Sequence, residues 1–168
     1  MTAKQITPTL SVSGQVMPED VAAFAAAGFK AIICNRPDGE GADQPSFAEV
    51  EAAARSAGLP AAYLPIASGK VGDEDALAFG ALMDSLPKPI LAYCRTGTRS
   101  ATLWSLSEGG RGRPLPEIIT TTKAAGYDMA GVVRRIANGG RTPSDAVDAS
   151  MPLSSSVAGL RALRWLPA

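Results

Sequence analysis

Residues 94–100 read CRTGTRS. A cysteine followed within five positions by two arginines, two threonines and a glycine is a set that can do thiolate chemistry. A thiol attacks only when ionised, and cysteines at helix N-termini or beside arginine ionise at about 3.5–7.5 instead of about 8.5. Arg99 offers a planar fork of donors suited to a tetrahedral oxyanion, and Gly97 permits a tight turn with close backbone approach. Backbone N–H groups of the loop and of the helix that follows can converge on the same anion. The expected reacting residues are therefore Cys94 and Arg99, with Arg95, Thr96, Gly97 and Thr98 as the anion-binding loop. A strand-end cysteine can also simply fill space; the full combination at one strand-to-helix junction favours the thiolate cradle.

The surrounding elements must deliver that junction. Ile90–Tyr93 is a short apolar strand running into Cys94, and a helix carrying Leu103, Trp104 and Leu106 follows. Upstream, a strand around Leu10–Gly14 leads to a helix opened by Pro18-Glu19-Asp20, striped by Val21, Phe24 and Ala25 and ended by Gly28. Ala31–Cys34 is wholly apolar, as in a parallel sheet buried on both faces. Arg36–Pro45 is a loop by composition. Ser46 with Glu49 makes a capping box for a helix ending at Gly58. Ala62–Ile66 reads as a strand whose Pro65 suggests a sheet edge or a strand end, and Asp73-Glu74-Asp75 opens a helix striped by Phe79, Leu82, Met83 and Leu86. Alternating strands and helices with short links imply a three-layer α/β/α fold with a mostly parallel sheet. In such sheets ligands bind beyond the carboxyl ends of the strands, where Cys94 stands. RGRP at 111–114 reads as a linker to two helical segments, roughly Pro116–Gly126 and Asp128–Asn138. Residues 1–140 form one domain on this reading. Residues 141–168 form a weakly structured tail, with one short helix near Leu160–Trp165.

Composition removes many alternatives. The 168-residue chain has 16 basic and 16 acidic side chains and no histidine. Ser-His-Asp and Cys-His hydrolases, histidine bases and most catalytic zinc sites are excluded. Two cysteines 60 residues apart do not close a structural zinc site. Neither a phosphate-binding glycine motif nor a dinucleotide fingerprint occurs. The expectation is an enzyme without metal or cofactor. Balanced charge argues against nucleic-acid or anionic-membrane partners, no apolar run spans a bilayer, and the first residues have no signal-peptide core. A cytoplasmic protein acting on a small anionic substrate is expected. Oligomeric state is not readable.

Cys94-x-x-Gly97-x-Arg99-Ser100 resembles the active-site loop of protein tyrosine and dual-specificity phosphatases, and also that of rhodanese sulfurtransferases. More widely, TLSVSGQ, ICNRPDGE, YLPI and YCRTGTRSA, in that order, resemble a small bacterial family of phosphatase-like domains. That domain is also found fused to β-lactamase-like hydrolases, and some members are described as sulfurtransferases. The resemblance covers about residues 5–110 and implies a tyrosine-phosphatase-like fold.

Against the phosphatase pattern, the loop has four residues between Cys94 and Arg99 where five are usual, as rhodaneses commonly have. Tyr93 replaces the usual histidine, and no carboxylate follows YLPI where dual-specificity enzymes place their general acid. Sulfur transfer needs no acid, so a Cys94 persulfide route is favoured, with phosphate-ester hydrolysis second and a non-catalytic anion-binding module third. In the first route Arg95 and Arg99 hold an anionic donor and Ser100 hydrogen-bonds the thiolate. In the second, Asp38 or Glu40 must supply the acid. Cys34, Arg36 and Asp38 are accessory candidates, Cys34 as a resolving thiol if its strand adjoins that of Cys94.

Overall fold

Two four-residue runs, AIIC and ILAY, build the centre of the sheet because every side chain in them is apolar enough to be covered on both faces. They are β3 (Ala31–Cys34) and β5 (Ile90–Tyr93), and they pair in parallel with Cys34 opposite Tyr93. The computed structural model describes residues 2–139; the expected tail from 141 and its helix near Leu160–Trp165 lie outside the described residues. β2 (Leu10–Ser13) flanks β5 in parallel, and β4 (Ala61–Tyr63) flanks β3. β1 (Lys4–Thr7) adds an antiparallel edge to β2, giving the order β1-β2-β5-β3-β4.

The period of two sorts these strands between two helical layers. Leu91, Tyr93, Ile32 and Cys34 face α1 (Val21–Ala26) and α2 (Phe47–Ser56), packing with Val21, Phe24, Val50 and Ala54. Ile90, Ala92, Ala31 and Ile33 face the other side. There they meet Phe79 of α3 (Asp73–Ser85), Leu103 and Leu106 of α4 (Thr98–Gly110), and Ile118 of α5 (Leu115–Ala124). Val133 and Ile136 of α6 (Ala130–Ala137) complete that layer. The three-layer α/β/α architecture with a mostly parallel sheet is as expected.

Three local differences have physical causes. β1 was not expected because KQIT carries one buried apolar residue, Ile6; its pairing with β2, not its pattern, makes it a strand. β4 stops at Tyr63 instead of reaching Ile66, since Pro65 has no N–H to continue the ladder. The RGRP segment is a tied corner: Arg113 lies over the Trp104 ring at 5.3 Å and pairs with Glu108 and Glu117. The Ser46–Glu49 capping box forms as expected, with the Ser46 hydroxyl accepting from the Glu49 N–H at 3.2 Å.

Candidate active site

β5 delivers Cys94 to the carboxyl edge of the sheet, and the Cys94 N–H still bonds the Ser13 carbonyl at 3.3 Å. The chain then turns at Gly97, the N-cap of α4, where φ is +93°. That left-handed value suits glycine. A Cβ at Gly97 would also collide with the Tyr127 hydroxyl. The turn brings the Gly97 N–H to within 3.0 Å of the Cys94 sulfur. The first intrahelical bond of α4 runs from Ala101 to the Gly97 carbonyl, so the N–H groups of Thr98, Arg99 and Ser100 are the orphan donors of a helix start. A helix start of this kind is an anion-binding arrangement, and the Gly97 N–H contact sets the sulfur beside it. Gly14 presses on the loop from β2: a Cβ there would stand 2.9 Å from the Arg95 carbonyl.

Arg99 is buried and held from behind. Its Nη1 donates to Glu40 Oε2 at 2.8 Å and to the Ile66 carbonyl at 2.8 Å, and its Nη2 donates to Glu40 Oε1 at 2.7 Å. A guanidinium has five donors in a fixed plane. Three are committed here, which leaves the Nε–H and one Nη2–H, parallel on the side of the fork away from Glu40. The hydrogen bond to Glu40 pushes the Arg99 pKa up against the opposing cost of burial, and the neighbouring Cys94 adds to the rise. Glu40 in turn accepts from Arg36 Nε at 3.0 Å, and Arg36 Nη1 donates to Gln15 Oε1 at 2.9 Å. Hydrogen bonding from Arg99, with Arg36 assisting, pulls the Glu40 pKa from 4.5 to about 2. A carboxyl so acidic is a fixed anion, so Glu40 does not meet the expectation that it could donate a proton. It positions Arg99, and Arg36 positions it.

The other expected residues divide. Ser100 is buried beside the loop, but its hydroxyl donates to Asn35 Oδ1 at 2.7 Å instead of to Cys94. Asn35, fully buried, donates from Nδ2 to the Leu64 carbonyl at 3.0 Å and from its N–H to Tyr93. Ser100 and Asn35 thus bolt α4 to the ends of β3 and β4. Asp38 accepts from the Phe47 N–H at 2.8 Å at the start of α2, and its own N–H donates to the Tyr63 hydroxyl at 2.9 Å. It is spent on the loop and does not line the cleft. Cys34 adjoins the strand of Cys94, yet its register partner is Tyr93, and both pack on the α1–α2 face. Cys94 follows Tyr93 just past the end of β5. The Cys34 thiol donates to the Arg36 carbonyl at 3.3 Å, and burial pushes its pKa up. Cys34 is thus held by its own loop, in the strand adjacent to the one that ends at Cys94. Tyr93, raised in pKa by burial and by the Cys34 thiol, is packing.

Above the loop lies a cleft of about 520 Å³ lined by Arg95, Thr96, Thr98, Arg99, Val71 and Arg135, among others. Arg95 and Thr96 are exposed at its mouth, and the Thr96 and Thr98 hydroxyls share a 3.1 Å hydrogen bond. Tyr127, between α5 and α6, donates to the Thr96 carbonyl at 3.1 Å and pins the loop from outside; burial, then the Cys94 charge, pushes its pKa up. Among the described residues no three His, Cys, Asp or Glu side chains gather closely enough to hold a metal ion. No helix among them is long and apolar enough to cross a membrane.

Residues 2–111 match the family model of the beta-lactamase hydrolase-like protein, phosphatase-like domain. The chain belongs to this family. A beta-lactamase hydrolase-like protein from Agrobacterium fabrum is 35% identical over 135 residues, 80% of this chain and 31% of that protein. The chain thus spans about a third of the length of the curated relative it matches. A crystal structure of a candidate phosphatase from Neisseria meningitidis is 35% identical, covers 77% of this chain and 92% of its own, and superposes with a TM-score of 0.71. Tk-PTP in its active form, 19% identical with 96% of this chain and 95% of its own covered, shares the fold at a TM-score of 0.59.

Within this phosphatase-like domain, several residues at the site escaped the sequence reading. Gly14 and Asn35 lie in the segments TLSVSGQ and ICNRPDGE that carried the resemblance, but nothing in their type announced a role. Glu40 was visible as a carboxylate; its pairing with Arg99 and Arg36 was not. Tyr127 and Arg135 come from beyond residue 111, where the family match ends, and reach the site only through the packing of α5 and α6 on α4.

Proposed function

We propose that this domain is a cysteine-dependent phosphatase acting on small phosphoryl compounds. The observation that carries the reading is the superposition, at 35% identity, on the Neisseria candidate phosphatase, taken with an Arg99 that keeps two parallel donors for an oxyanion beside Cys94. The four-residue loop, which favoured sulfur transfer on sequence alone, is not short of donors. Its ring is extended by the first-turn N–H groups of α4.

In the proposed reaction the Cys94 thiolate attacks phosphorus, an S–P bond forms, the P–O bond breaks and its electron pair leaves with the oxygen. Water then attacks the cysteinyl phosphate, the S–P bond breaks, and orthophosphate and the thiolate are released; the protons of that water end on the leaving group and phosphate. Arg99 and the loop N–H groups balance charge on the equatorial oxygens. Glu40 is fixed as an anion and Asp38 faces α2, so the leaving oxygen departs without either as a proton donor. Substrates with acidic leaving groups, such as aryl phosphates, suit this site best.

The test is side-by-side turnover of a series of aryl phosphates, thiosulfate and glutathione persulfide by the purified protein. Hydrolysis of the aryl phosphates, with kcat/KM falling steeply as the leaving group becomes more basic, is expected. Release of sulfite from thiosulfate, without phosphate release from any aryl ester, overturns the reading and restores the persulfide route.

A further inference from the structure

Arg135 stands across the cleft from the Cys94 loop and has no part in the reaction described above. We propose that it and Arg95 form a second oxyanion subsite, so that the substrates are phosphoryl compounds whose leaving portion carries another phosphate or carboxylate. The inference rests on the hydrolase reading and names its substrate class.

Among the described residues three arginines line the cleft and no carboxylate does. The carboxylates that accompany two of them sit behind: Glu40 behind Arg99, and Asp73, at 2.9 Å, behind Arg135. Arg135 Nη1 also donates to the Val71 carbonyl at 2.7 Å. Two of its five donors are therefore used, and they fix the guanidinium at the rim while the rest remain for a ligand. Its side chain is 23% exposed, so the charge is partly shielded from water. Arg95 is exposed at the same mouth and has no ion-pair or hydrogen-bond partner among the described residues.

The rest of the lining argues the same way. Ser68, Gly69, Thr96, Thr98 and Thr102 are small or hydroxylic, and Val71 is the largest apolar side chain. Among the described residues no aromatic ring lines the cleft to stack a flat uncharged ester. Selectivity for what lies beyond the phosphoryl group then falls to the two arginines. Bidentate arginine–oxyanion pairing is the strongest directional contact they can offer.

The alternative is that Arg135 merely ties the segment before α3 to α6. Calorimetric binding to Cys94→Ser protein separates the two, with phenyl phosphate, 3-carboxyphenyl phosphate and 1,3-phenylene bisphosphate as probes. The charged probes should bind about tenfold or more tightly than phenyl phosphate. Arg135→Gln in the same background should bring that ratio close to one. Asp73→Asn, which removes the carboxylate behind Arg135, should raise it. The two charged probes rank phosphate against carboxylate as the second group. A ratio near one in the parent, or a ratio left unchanged by Arg135→Gln even if all probes weaken together, overturns the proposal. If Arg135→Gln fails to fold, an unaltered ratio in Asp73→Asn does so. A preserved ratio in a protein whose wild type hydrolyses no phosphate ester would instead sink the hydrolase reading and leave the subsite standing.

Discussion

The two walls of the cleft are built on opposite terms. On the inner wall Arg99 is buried, Glu40 and the Ile66 carbonyl accept from its outward donors, and Arg36 donates to Glu40 from the side. On the outer wall Arg95 is exposed and unpaired among the described residues, and Arg135 is held at one edge only. The inner wall comes from segments inside the family match; part of the outer wall, α6, lies beyond it. A wall whose every alternative geometry breaks a buried bond can hold a reacting group in place, and preorganised charge of this kind is where catalytic electrostatics is strongest. A wall with spare donors is suited to choosing among ligands.

That contrast can be broken first at Arg99. Arg99→Lys keeps the charge but loses the fork, so it can satisfy neither Glu40 bidentately nor two phosphoryl oxygens. Aryl phosphate kcat/KM should fall by about 10²–10³-fold, mostly in kcat. A loss confined to KM would mean Arg99 only binds.

Glu40→Gln is the next largest break, because it leaves Arg99 charged, buried and poorly aimed. Its effect also has a pH signature. The Glu40 pKa in the folded protein, about 2, lies below the ordinary 4.5. Its stabilising contribution is therefore complete above about 4.5 and is lost as pH falls from there through about 2. Urea unfolding of wild type against Glu40→Gln should show the variant less stable near neutrality and the gap closing across that acid window. A gap constant with pH would contradict the clamp.

Arg95→Ala, on the outer wall, should be mildest. KM should rise roughly three- to tenfold with kcat nearly intact, since no bond within the protein is broken. Damage as deep as that of Arg99→Lys would erase the distinction between the walls.

The same contrast explains what could be read from the chain. β3 and β5 were legible because continuous apolar runs have one stable place, the sheet centre, and Cys94 was legible because β5 ends on it. The capping box at Ser46 is a local device and was read locally. Glu40 was named only as one of two carboxylates that a phosphatase would need as its acid; its bond to Arg99, 59 residues away, is something no local pattern encodes. Ser100 was aimed at the thiolate by its adjacency to Arg99, yet Asn35 Oδ1, 65 residues distant, accepts its hydrogen bond. The preference for sulfur transfer rested on the short loop, on Tyr93 in place of histidine and on the missing acid after YLPI; the loop count leaves out the donors that the start of α4 contributes.

The account turns on phosphorus becoming bonded to Cys94. Acid-quenched single turnovers of an aryl phosphate, followed by intact mass and peptide mapping, test this directly, with Cys94→Ser as control. A phosphoryl adduct on Cys94 that forms and decays in step with phosphate release, and is absent from Cys94→Ser, is the result expected. A sulfane adduct formed from thiosulfate, with no phosphoryl adduct at any time from any aryl phosphate, would contradict it.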